Sequence, residues 1–332
     1  MTEAAAGSGG TGSDTRRPRM VWVILTTGGR PEELGRAVAS VLGGLDEIRP
    51  GEIRPDQVRP DEAQPDEHRP DDVSGRRNLG VVVVSNGAGR LAFDDPRVRV
   101  LELAENVGAP GGRDAAVRTL GGDVDVVGFL DDDAELAPGA TGLIVELFEA
   151  DPALGVTTFR LVDERGDTQR RHLPRIGEDG ADESGEVALF LEGACAMRRA
   201  AYVDAGGYFT DLVYAHEALE FSWRLVERGW SIRYVTEVRV FHPRTTIGRH
   251  PDGWRRTGRN RVWIARRTLP WPVAIVHVGL WLVEGARRAP DAASRRAYVS
   301  GWWSGWSTPV ERDPLSWRTV LRLARLGRPP IV

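Results

Sequence analysis

The chain has 332 residues, 41% hydrophobic and 28% charged. These are the proportions of a water-soluble globular protein with room for one large α/β domain plus an appendage, or for two domains. Its one cysteine, Cys195, excludes an intramolecular disulfide framework and fits a reducing compartment. The net charge of −4 conceals a split: residues 244–332 hold 17 arginines against 5 acids, +12, which leaves −16 on the first 243. Eight of the 11 tryptophans also lie after residue 250. An arginine- and tryptophan-rich tail behind an acidic body points to an anionic surface, membrane headgroups first, or to a tail packed on the acidic body. No nucleic-acid motif accompanies the arginines, so nucleic acid is not an expected partner.

Residues 1–19 are rich in Gly, Ser and Ala and are expected to be a disordered tail. The apolar stretch 20–25 is too short for the core of a signal peptide. Residues 21–26 read as a first strand, broken by Thr27-Gly28-Gly29. A helix then opens with Pro31 near its first position and Glu32 and Glu33 in its first turn, where the helix dipole favours acids. Leu34, Val38, Val41 and Leu42 share one face of it. Residues 46–78 form a low-complexity insertion built on five pentapeptides over 47–71 (EIRPG, EIRPD, QVRPD, EAQPD, EHRPD). A proline every fifth residue forbids a regular helix and the charge forbids a core, which predicts an extended exposed loop.

The run 79–85 is continuously apolar, as parallel strands covered on both faces are, and completes a strand-helix-strand unit. Further strands are expected at 98–103, 124–130, 156–162 and 187–191, with helices at 112–120, 139–150 and 217–228. The stretch 269–283 is broken by Pro270 and Pro272 and falls short of the roughly 20 residues of a spanning helix. An interfacial or re-entrant segment is the expectation there.

Three aspartates, Asp131, Asp132 and Asp133, end the apolar run 124–130. Carboxylates released together at a buried strand's tip concentrate charge that a hard divalent ion relieves; the alternative is a solvated loop that starts the next helix. An open α/β sheet places its ligand at the carboxyl ends of its strands. Thr26–Gly29, Ser85–Gly87 and Asp131–Asp133 all fall at such ends, so three segments are expected on one edge. The turn Asn106-Val107-Gly108-Ala109-Pro110-Gly111-Gly112-Arg113-Asp114 leads into a helix, and its glycines, helix N-terminus and Arg113 favour an anion. It is neither a Walker loop nor a dinucleotide fingerprint.

Several segments in order resemble family 2 glycosyltransferases of the GT-A fold. They are Leu25-Thr26-Thr27-Gly28-Gly29-Arg30-Pro31-Glu32-Glu33-Leu34, 81–88 (VVVVSNGA), 106–114 (NVGAPGGRD), 129–136 (FLDDDAEL), 193–199 (GACAMRR), 206–209 (GGYF) and 216–225 (HEALEFSWRL). The resemblance spans about residues 20–268. It implies a GT-A central mixed sheet flanked by helices over 20–245, followed by a helical, basic C-terminal extension over 246–332.

It implies an inverting, Mn²⁺- or Mg²⁺-assisted transfer of a sugar from a nucleotide donor. UDP is first choice and dTDP or GDP stay open. The acceptor would be a cell-envelope glycan, a lipid-linked molecule or a small molecule. The expected location is cytoplasmic or peripheral on the inner face of the membrane.

Residue by residue, Asp131 and Asp133 would be the DxD pair, Asp133 on the metal and Asp131, with Asp132, towards the sugar nucleotide. Thr26, Thr27, Arg30, Ser85, Asn86, Asn106, Gly112 and Arg113 would surround the nucleotide. His242 sits where some relatives supply a further metal ligand; a histidine after a strand is otherwise structural. Two departures stand out. Relatives often carry an aspartate at Ser85 to hold the base of UDP. The family's Glu-Asp-x-Asp motif, with its base second, is Glu217-Ala218-Leu219-Glu220 here, and Ala218 accepts no proton. Either Glu217 takes the proton, with Glu220 as the motif's last acid or paired to Arg224 four residues on, or the protein is a catalytically impaired sugar-nucleotide binder or scaffold.

Overall fold

The computed structural model describes residues 16–47, 80–177, 180–244 and 252–331. The pentapeptide insertion beyond Glu47 and residues 1–15 of the expected tail lie outside these. Arg19 is fixed: its N–H donates to Asp125 Oδ2 at 2.7 Å.

Strand β1 (Met20–Thr26) pairs in parallel with β2 (Val81–Asn86), and β2 with β3 (Val98–Leu103). On its other side β1 pairs in parallel with β4 (Val126–Asp131). The sheet continues through β5 (Glu135–Leu136), β6 (Leu154–Val162), β7 (Gly185–Glu186), β8 (Ala194–Arg198) and β9 (Ser231–Phe241). Its order is β3-β2-β1-β4-β8-β6-β9-β5, with β7 beside β9. Because β8 is antiparallel to both β4 and β6, and β6 is parallel to β9, strands β4, β6 and β9 end on the same edge as β1 and β2. The register pairs Leu25 with Asp131 and Thr26 with Ser85, which sets the three strand tips side by side as the sequence pattern anticipates.

Alternating residues of these strands feed two cores. Val21, Val23, Val82, Val84, Val127 and Phe129 enter one, while Trp22, Ile24, Val81, Val83, Val126 and Leu130 enter the other. Each face is covered, which is why the strands read as unbroken apolar runs. The second face is closed by α1 (Pro31–Glu47) and α3 (Ala140–Ala150); the first is closed in part by α2 (Gly108–Arg118), α4 (Arg199–Asp204) and α5 (Glu217–Glu227).

Two expectations need correction. The helix expected from 112 starts at Gly108, because Pro110 fits a first turn whose N–H groups need no helical partner. Residues 187–191 form no strand. Val187, Ala188 and Phe190 are buried as irregular chain, and the strand follows at β8.

The C-terminal region is helical: α6 (Gly253–Thr268), α7 (Trp271–Arg288), α8 (Ala292–Ser307) and α9 (Trp317–Arg325). The proline-broken stretch is the start of α7, with Pro270 as its N-cap and Pro272 in its first turn. Among the described residues, no helix is long and apolar enough to cross a membrane.

Candidate functional site

A cavity of about 600 Å³ opens at the carboxyl edge of the sheet. It is lined from β1 by Leu25, Thr27 and Arg30, from β2 by Asn86, and from the glycine-rich turn by Asn106, Gly108 and Arg113. All three aspartates, Glu192, Glu217 and His242 complete its polar wall.

The three aspartates diverge. Asp132 is buried and accepts a 2.6 Å hydrogen bond from Thr26 Oγ1. Its pKa is raised by burial, against that hydrogen bond. Asp133 is buried and ion-paired with Arg30, which also lies 3.3 Å from Asp132 Oδ1. Asp131 keeps 38% of its side chain exposed. Its Oδ1 accepts from Arg113 Nη2 at 2.9 Å, and Arg113 Nη1 donates to Glu192 Oε2 at 2.8 Å.

His242 follows β9 and reaches the same point. Its Nε2 lies 3.4 Å from Asp133 Oδ1 and 3.9 Å from Asp131 Oδ2. Nδ1 lies 2.8 Å from the Pro243 carbonyl. A carbonyl only accepts, so Nδ1 carries a proton and Nε2 is the nitrogen directed at the acids. Ligand atoms of Asp131, Asp133 and His242 all lie within 4.8 Å of one another. Two carboxylate oxygens and an imidazole nitrogen suit a divalent cation such as Mn²⁺. The Arg30 guanidinium also places a positive charge against Asp133.

Backbone approach is tight around this group. A Cβ on Gly193 would lie 2.0 Å from Asp131 Oδ2, so only glycine leaves room for that carboxylate. Gly108, at φ +82°, presses on the Val213 carbonyl, where a Cβ would lie 2.1 Å away. Asn86 braces the turn: its Oδ1 accepts from Val107 N–H at 2.9 Å and its Nδ2 donates to Gly108 O at 3.1 Å. Ser85 and Gly112 do not line the cavity. Ser85 Oγ donates to the Gly89 carbonyl at 2.5 Å, and Gly112 packs on Leu25, so both shape the loops from behind.

Opposite the aspartates, Glu217 opens α5. The chain reaches it through Val213, Ala215 and His216, all at positive φ (62°, 72° and 72°). Such conformations are costly for residues with a Cβ and persist only where surroundings enforce them. Asn260 of α6 does so: its Nδ2 donates to the carbonyls of Leu212 (3.1 Å), Tyr214 (2.7 Å) and Ala215 (3.0 Å).

Glu217 Oε2 and Glu192 Oε1 are both buried without a conventional partner. The pKa of Glu192 is held well above the ordinary carboxylate range by burial and by the Glu217 charge, against Arg113. Burial thus favours the neutral form of Glu192 beside Glu217.

Glu220 stands apart. It is fully buried and absent from the cavity lining. Arg224 grips both of its oxygens at 2.7 and 2.8 Å, and Arg267 Nε lies 3.3 Å away. This corrects the expectation of a catalytic Glu220: the helical spacing ties it to Arg224, whose other donors hold the Ala205 and Gly207 carbonyls.

Sequence reasoning missed Glu192, Asn260, Asp252 and Arg256, the last two lining the cavity from the start of α6, while Gly193 entered only as the first residue of the segment 193–199. Glu192 immediately precedes that segment, which was its only signal.

Residues 84–207 match the family model described as Glycosyl transferase family 2. No curated protein matches the chain. Among solved structures it is similar to that of GalNAc-T7 with UDP, GalNAc and Mn²⁺, at 15% identity and TM-score 0.54, over 87% of this chain and 55% of that one. This chain thus spans about half the length of that protein. A mannosyltransferase, PcManGT from Pyrobaculum calidifontis, in complex with GDP-Man and Mn²⁺, gives 16% identity and TM-score 0.49, over 94% of this chain and 80% of that one. TarS of S. aureus gives 12% and 0.47, over 86% and 43%. The fold is that of the GT-A glycosyltransferases. Within that fold, residues 84–207 carry the similarity to glycosyl transferase family 2.

Proposed function

We propose that the protein transfers a sugar from a nucleotide donor to an acceptor hydroxyl with inversion, on a catalytic domain of residues 20–245. The observation that carries this reading is one cavity lined by the cluster Asp131, Asp133 and His242 and also by Glu217. The three would hold Mn²⁺ or Mg²⁺, and the ion, when bound, offsets the charge of the diphosphate leaving group. Asp132, hydrogen-bonded by Thr26, holds Arg30 in place, and Arg113 fixes Asp131. Thr27, Asn86 and Asn106 surround the nucleoside, with UDP the first candidate. As the bond from the anomeric carbon to phosphate breaks and the acceptor oxygen attacks, Glu217 takes the acceptor's proton. Glu192, protonated beside it, orients that carboxylate.

The test is calorimetry with UDP, dTDP and GDP, with and without Mn²⁺, followed by turnover with the matching sugar nucleotides. Asp133→Ala should abolish metal-dependent binding. Glu217→Gln should keep binding and lose transfer. If no nucleotide binds in a metal-dependent way, the site assignment fails. Ala218 at the usual base position favours a second reading, a sugar-nucleotide binder without transferase activity; it prevails if nucleotides bind but no donor is turned over or hydrolysed.

Residues 246–332 would be an extension that meets a membrane surface. Ile275, Val276, Leu280 and Val283 leave α7 exposed and apolar, with Arg287 and Arg288 at its end. An apolar face bordered by arginines suits the headgroup layer, which would place the protein at the inner face of the membrane.

A further inference from the structure

A second cavity, of about 330 Å³, adjoins the first and shares Glu192, Tyr214 and Glu217 with it. Its far wall is cationic. Arg261 of α6 is 7% exposed, and neither its Nε nor its Nη1 has a hydrogen-bond acceptor. Its guanidinium carbon lies 3.5 Å from the centre of the Trp281 ring, so the group is held flat against an aromatic face. Arg328, from the turn after α9, has a buried Nε that also lacks an acceptor, and both arginines line the cavity. His216 Nε2, on the same lining, is buried and without a partner.

Buried guanidiniums are ordinarily paired, because a desolvated cation without acceptors is costly. Here the buried Arg261 shares its cavity with the half-buried Arg328. Burial, with the nearby charges of Arg328 and Arg288, pushes the pKa of Arg261 down to about 9. The remaining wall is apolar, with Phe190, Ala218 and Leu219.

We propose that this cavity is an acceptor subsite for a compact oxyanion, a phosphoryl group, carried by the acceptor and bound by Arg261 and Arg328. Donors arrive from two separate elements, which suits a tetrahedral group with three oxygens better than a planar carboxylate met by one fork. An acceptor anchored there presents its hydroxyl to Glu217, at the junction of the two cavities. The inference rests on Glu217 as the acceptor's base.

The test is isothermal titration of metal-free protein with inorganic phosphate and, separately, with acetate. Wild type should bind phosphate more tightly than acetate. Arg261→Met and Arg328→Met should each weaken phosphate at least about tenfold, the loss of one charge-assisted hydrogen bond. Asp133→Ala and Arg256→Met, which alter the larger cavity, should leave phosphate binding unchanged. Circular dichroism checks the fold, and Arg328 is only half buried, so its variant keeps the test open if Arg261→Met does not fold. Absence of phosphate binding by wild type, or its loss in Arg256→Met with retention in Arg261→Met, overturns the subsite. Acetate binding as tightly as phosphate overturns the phosphoryl assignment. Failure of the donor reading shows separately, as absent metal-dependent nucleotide binding.

Discussion

Asn260 lies on α6, well after the last strand, yet it sets the geometry of the proposed base. Its amide orientation is fixed by its neighbours: Oδ1 accepts from Arg259 Nε at 2.9 Å while Nδ2 faces three carbonyls. Asn260→Ala removes those donors and leaves the partly buried Tyr214 and Ala215 carbonyls without them, in a segment already at positive φ. Each net hydrogen bond is worth about 1 kcal/mol, and an orphaned buried carbonyl costs about 1–3 kcal/mol. The expected loss of stability is about 2–4 kcal/mol, read as a lower urea midpoint at unchanged slope. Released, the chain at Val213, Ala215 and His216 relaxes towards negative φ and displaces Glu217. A displacement of about 1 Å lowers kcat about a hundredfold. Asp131, Asp133 and His242 sit on strand ends untouched by the change, so metal-dependent nucleotide affinity should hold. Asn260→Asp should be worse than alanine, since it sets a carboxylate against the same carbonyls. The reasoning is refuted if Asn260→Ala retains wild-type kcat, or if nucleotide affinity falls in step with it.

Two further outcomes concern pH. His277 is buried, donates from Nδ1 to the Pro330 carbonyl at 2.7 Å, and has its pKa lowered by burial to about 3; burial lowers that of His216 too. A depressed histidine stabilises the fold above its unfolded value of 6.5 and loses that contribution as pH falls towards the folded value. At pH 5 His277 alone should cost about 2 kcal/mol. His277→Asn should flatten the acid side of a urea-midpoint profile between pH 7.5 and 5, and an unchanged profile would count against a buried neutral ring. Glu192 has the opposite sign: its folded pKa lies above the ordinary 4.5, so its contribution is full below that value and is lost as pH rises. Glu192→Gln, which mimics the protonated form, should keep transfer near neutrality and gain melting temperature relative to wild type at pH 8.5. Inactivity at every pH would overturn the proton-sharing pair.

The donor half of the site was legible because it is local. The apolar strands, the DDD tip and the glycine-rich turn each state their structure within a few residues, and parallel pairing then aligns the tips of β1, β2 and β4 without further information. Glu220 was half legible, since the spacing to Arg224 is a property of any helix. The acceptor half was not. Glu192 needed the antiparallel return of β8 to meet Glu217, and 187–191 looked like a strand because burial alone made it apolar.

The sequence by itself determined the α/β class, the edge on which the site lies and the acids that crowd it, because period and strand order are short-range properties. Only the tertiary structure decided which acids face the cavity. Arg30 holds Asp133, Arg113 joins Asp131 to Glu192, and Asn260 forces the turn before Glu217, contacts between residues from 18 to 103 positions apart. The Asn260 contact depends on how α6 closes over the turn before α5, and no local pattern encodes that.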